Sequence, residues 1–136
     1  MSGTSTTYSP TARNQQMRAV ALAAVAPAVV WLVAKVAGAD MEVTMGGQPT
    51  MRIGLPLVVI TALVVSLAGW AAFSMLRRVT SRARTAWTVL SSIVLLVSFG
   101  PVLSAQASTG TALALASMHL AVAAVLIPGL RRATAA

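Results

Sequence analysis

Apolar residues along this chain fall into four runs, at about residues 17–37, 53–76, 85–103 and 111–130. Each run holds about the 20 residues that a helix needs to cross the hydrocarbon core of a bilayer. Near-continuous apolarity over those lengths predicts helices over about residues 17–38, 53–76, 85–104 and 110–130. Charge alternates between the runs. Arg13, Arg18, Arg77, Arg78, Arg82, Arg84, Arg131 and Arg132 fall on one side of a four-pass layout, and only Lys35 and Arg52 fall on the other. Such an excess in short loops marks the cytoplasmic side. The expected fold is an all-α membrane protein, a four-transmembrane-helix bundle with both termini in the cytoplasm.

Composition supports lipid rather than water as the solvent. Hydrophobic residues make up 57% of the chain and charged residues only 9%, more apolar surface than a domain of this size can hide. The net charge of +8 would suggest nucleic acid in a soluble protein. Here the arginines flank apolar runs, so topology accounts for them and no nucleic-acid partner is expected. Cysteine is absent, which removes disulfides, thiol redox chemistry, thiolate metal sites and iron–sulfur clusters.

The termini and connections add detail. Residues 1–16 are polar and rich in Ser and Thr, and read as a disordered cytoplasmic tail; residues 133–136 form a short second tail. The domain between them spans residues 17–132. Pro27 lies near the centre of the first run and permits a kink. That run has a rival reading, because Ala37-Gly38-Ala39 after a basic start and an apolar stretch resembles a signal-peptide cleavage site. The next connection holds both acids of the chain, Asp40 and Glu42, and alternates about Gly46-Gly47, which predicts a short extracytoplasmic hairpin. Met41, Met45 and Met51 would cap the bundle there or dip into the interface. Pro56 suits the first turn of the second helix, and Ala62, Ser66 and Gly69 give that helix a small, close-packing face. Trp87 is expected at the inner interface, a bend or break at Gly100-Pro101, and an uncharged outer turn over residues 104–110.

Candidate chemistry is sparse. His119 lies about nine residues into the fourth helix, roughly 12–14 Å below the outer surface, and a titratable group at that depth is a functional candidate by default. Its helical neighbours Ala112, Ala116 and Ala123 are small, so its face meets another helix or a narrow cavity. The plainer alternative is a neutral histidine bonded to a facing serine or carbonyl. Asp40 and Glu42 are a candidate acid/base pair, against the plainer reading of solvated ion pairs with Lys35 and Arg52. The sharper reading folds the hairpin over an outward cavity that joins Asp40, Glu42 and His119, with Ser98, Ser104, Gln106 and Arg52 lining it. Arg77, Arg78, Arg82 and Arg84 are candidates for anionic lipid headgroups. No Walker loop, His-Glu-x-x-His or Gly-x-Ser-x-Gly is present, and no metal site or cofactor is expected.

Three pieces carry a resemblance: Gly38-Ala39-Asp40-Met41-Glu42-Val43, the Arg-rich inner loop, and Met118-His119-Leu120 with Ile127-Pro128-Gly129-Leu130-Arg131-Arg132. Over residues 17–132 the chain resembles a family of small actinobacterial four-helix membrane proteins of unknown function. The resemblance implies a fold and a bacterial cytoplasmic membrane, and no activity. The expected role is an accessory or partner-binding bundle in contact with membrane lipids, its small-residue faces suited to a homo-oligomer or a membrane protein partner. The alternatives are an outward-facing Asp/Glu/His site for a lipid-soluble substrate, and a small transporter. The chain lacks the membrane-embedded glutamate on which small four-helix multidrug exporters rely, so only His119 would be left to couple protons.

Overall fold

A computed structural model describes residues 10–132. The elements are α1 (Pro10–Val36), β1 (Glu42–Thr44), β2 (Met51–Arg52), α2 (Leu55–Val79), α3 (Ala83–Ser104), β3 (Gln106–Ala107) and α4 (Thr109–Arg132). All four helices are long and apolar enough to cross a membrane. The four alternate in direction, giving a sheet end, where the strands lie, and an arginine end. The tails expected at residues 1–9 and 133–136 lie outside the described residues.

The first helix begins at Pro10, not near residue 17, so residues 10–16 are helical rather than part of a tail. The cause is tertiary. Gln16 is fully buried, and its Oε1 accepts a hydrogen bond from Trp70 Nε1 of α2 at 3.0 Å. At its other end α1 stops on Gly38, whose φ of +94° favours glycine. The Gly38 amide donates to Lys35 O and the Ala39 amide to Ala34 O, at 3.1 and 2.9 Å, the paired closure of a Schellman cap.

The hairpin forms as the sequence implies. Glu42 pairs with Arg52 and Val43 with Met51, and Gly46 and Gly47 both adopt positive φ in the turn. The segment expected as a plain turn over residues 104–110 instead contributes β3, which pairs with β1 antiparallel, Val43 opposite Ala107. Strand order is therefore β2-β1-β3. The helix of α3 continues through Gly100 and Pro101 to Ser104 without interruption. A proline there removes only one bond of the last turns, and the Ala105 amide closes the helix on Pro101 O at 2.9 Å.

Two buried clusters hold the bundle. At the sheet end Met41, Val58, Ala114 and Met118 pack together, with Trp31 alongside; its Nε1 donates to Ile53 O at 2.8 Å. At the arginine end the cluster is Ala23, Phe73, Trp87, Leu126 and Leu130. Trp87 is thus a core residue rather than an interfacial one, edge-on to Phe73 with ring centroids 5.6 Å apart. Helix α1 packs chiefly on α4 and then on α2, while α3 packs chiefly on α4 and touches α2 little. Of α3 only Ala83 and Trp87 are buried.

Candidate functional site

Asp40 is drawn to the start of α4. Its Oδ1 accepts from Thr111 Oγ1, from Ser108 Oγ at 3.0 Å and from the Glu42 amide at 3.4 Å. Ser108 acts as the cap of α4, accepting from the Thr111 amide at 3.3 Å. Thr111 is fully buried, and its Oγ1 also accepts from the Met41 amide at 3.0 Å. The carboxylate therefore sits where the exposed amides of a helix N-terminus favour negative charge. Thr111 first, then Ser108 and the Glu42 amide, hold the Asp40 carboxyl below the usual carboxylate range. Met41 takes a left-handed φ of +58°, unusual for a side chain of its size. Its amide bonds Thr111, its carbonyl accepts from the Ile53 amide at 2.8 Å, and its side chain is fully buried. These contacts clasp the exit of α1 to the entry of α4.

Glu42 is not part of the clasp through its side chain. Its Oε1 meets Arg52 at 3.0 Å across the β1–β2 pair, with both side chains well exposed. Gln106 stands opposite Thr44 in β3, and Ser104 turns back onto Pro101 O at 3.2 Å. The structure brings none of these to His119. The face of α4 that carries Thr111, Ala114 and Met118 is packed, and His119 lies about 80° around the helix from Thr111 at 100° per residue.

His119 instead lines a cleft of about 620 Å³ between α2, α3 and α4. The cleft exists because α3 leans on α4 and leaves α2. Its walls include Val65 and Ala68 of α2, Val94 and Ser98 of α3, and Leu115 and Ala123 of α4. Trp87 and Leu126 close it towards the arginine end. From Leu57 to Ala72 it runs along about 22 Å of helix. The cleft is half-open and almost wholly apolar, a surface along which a hydrocarbon chain can lie.

Polar groups in the cleft are few. Ser98 Oγ donates to Leu95 O at 2.7 Å and Ser91 Oγ to Trp87 O at 2.6 Å, so both are satisfied within α3. His119 Nδ1 lies 2.7 Å from Leu115 O, and the ring stacks at a tilt beside Phe99, centroids 5.7 Å apart. Among the described residues no group of three or more His, Asp or Glu side chains is placed to hold a metal ion.

The arginines group at the opposite end from the sheet. Arg77 and Arg78 lie in the last turn of α2, Arg82 precedes α3 and Arg84 opens it, and all four are exposed. Sequence reasoning missed Ser108 and Thr111. The available signal was Ser108 one residue before an apolar helix, a capping pattern.

A model of a family of unknown function, DUF6069, matches residues 7–136. No curated protein and no solved structure matches the chain.

Proposed function

For a chain that belongs to DUF6069, a family of unknown function, we propose a binding role within the membrane: a multi-pass protein that holds a lipid-soluble, chain-shaped molecule between α2, α3 and α4. The observation that carries this reading is the cleft of about 620 Å³, within the roughly 300–1,000 Å³ usual for small-molecule sites. Its apolar walls suit a hydrocarbon chain, and His119 sets a single polar ring among them. The arginine bias supports a cytoplasmic membrane with both termini inside. Arg77, Arg78, Arg82 and Arg84 would then meet anionic headgroups, and the three-stranded sheet would cap the outer end.

Catalysis by a joined Asp40, Glu42 and His119 has no support in this geometry. Asp40 is engaged by Ser108 and Thr111, and Glu42 by Arg52. The role is closer to an accessory bundle that binds a lipid than to an enzyme.

The test is photolabelling of the protein in lipid nanodiscs with a long-chain alkyl diazirine. Val94, Leu115 and Ala123 should label several-fold more than Val97 and Leu113, which are apolar and exposed but outside the cleft. Equal labelling of all five would make the cleft ordinary lipid boundary. Dimer cross-links with the three cleft positions protected would place a second copy there instead. Either result overturns the proposal.

A further inference from the structure

The imidazole of His119 is oriented by its own helix. Nδ1 lies 2.7 Å from Leu115 O. A carbonyl oxygen only accepts, so Nδ1 carries the hydrogen in that bond. In the neutral ring Nε2 is then a bare acceptor, pointing away from the Leu115 carbonyl. It has no partner among the described residues, although the ring lines the cleft beside Phe99. The hydroxyls of the cleft do not serve it: Ser98 and Ser91 spend their protons on carbonyls of α3, and Thr61, also in the wall, makes no bond to the ring.

An acceptor in hydrocarbon with nothing to accept from is unfavourable, and no water competes for it there. His119 stands about 15 Å along a helix of about 36 Å, so the bare nitrogen lies near mid-depth of the apolar layer. A saturated chain would fill the cleft and leave Nε2 unmatched.

We infer that the cleft selects a lipid-soluble molecule carrying one hydroxyl, alcoholic or phenolic, that donates a hydrogen bond to His119 Nε2 while its chain lies along α2 and α3. This inference rests on the cleft being a ligand site. It adds the polar group that a ligand must bear and the atom that reads it. The ligand class is that of neutral hydroxylated amphiphiles, not of charged ones, since no ion-pair partner lines the cleft.

The test uses the full chain in nanodiscs and two probes that differ by one hydroxyl, 4-dodecylphenol and dodecylbenzene. His119 is the single histidine, so ¹⁵N-histidine labelling reports on it alone. The phenol should move the Nε2 resonance towards that of a hydrogen-bonded acceptor and leave Nδ1 in place, and dodecylbenzene should not. Wild type should prefer the phenol by about threefold to tenfold, the range one net hydrogen bond supplies. His119→Phe should lose that preference and keep its affinity for dodecylbenzene. Equal binding of both probes to wild type, with Nε2 unmoved, overturns the hydroxyl selection and leaves the cleft as a site for plain chains. Failure of both probes to bind overturns the cleft reading as well. The resonance shift is read on wild type, so the test stands even if the variant folds poorly.

Discussion

A Cβ added at Gly129 would lie 2.8 Å from Ala19 Cβ and 3.7 Å from Ala19 Cα, so one hydrogen atom on Gly129 sets how closely α1 and α4 approach. Neither obstacle is a flexible side-chain end, and relief requires the two helices to part. Overpacking of this kind costs about 1–3 kcal/mol. Replacing glycine by alanine in a helix returns about 1 kcal/mol, so Gly129→Ala alone should be destabilising by only about 0–2 kcal/mol. The coupling between the two positions is a sharper quantity than the single variant. Ala19→Gly removes the Cβ that the new methyl meets, so the double variant should be more stable than the two single effects sum to, by about 1–3 kcal/mol. The assay is reversible unfolding in mixed micelles of wild type, both single variants and the double variant. Gly100→Ala is the control, since nothing lies within 4 Å of a Cβ there. Additivity of the two changes to within about 0.5 kcal/mol would refute the close contact between α1 and α4.

Two further results are expected. Asp40 should titrate below the usual carboxylate range, read from its ¹³C carboxyl shift, and Thr111→Val should raise that pKa towards normal. Because the folded pKa is lowered, the clasp stabilises the protein above the ordinary carboxylate range and weakens as pH falls below it; a folded-state pKa at or above the ordinary value would contradict the clasp. The chain has no cysteine, so single-cysteine labelling is clean. A membrane-impermeant thiol reagent should reach Gln48→Cys from outside intact cells and Ser81→Cys only after lysis, and the opposite pattern would invert the proposed orientation.

Local information in the sequence carried over well. Four apolar runs became four helices, and Gly46-Gly47 became the hairpin turn, because both signals are local. What was illegible depended on distant partners. Residues 10–16 have no apolar period, and their helix is fastened by Gln16 meeting Trp70 of another helix. Gln106-Ala107 is too short to show alternation and is a strand only because β1 lies beside it. Trp87 stands close to arginines in sequence, which suggests an interface, yet Phe73 and Leu126 enclose it. The two acids are near neighbours in sequence and part company in space, Asp40 to α4 and Glu42 to Arg52, since Thr111 and Ser108 offer hydroxyls at the start of α4. His119 could be singled out from the sequence as a polar residue amid apolar ones. Its small neighbours and Ser98 point to a cavity there, but not to one running along α2 and α3, because the gap between those helices is set by the packing of α3 on α4.

The fastening of α3 has a mechanical consequence. At one end β3 ties it to β1, and at the other Trp87 is wedged into the core, while the helix between packs chiefly on α4 and little on α2. A rod pinned at both ends and free at midspan bows; it does not swing. Widening for a bulkier guest would therefore come from flexure of the midspan around Val94 and Ser98, with sheet and core undisturbed. Entry would be sideways, from the surrounding lipid, and not through either water-facing end.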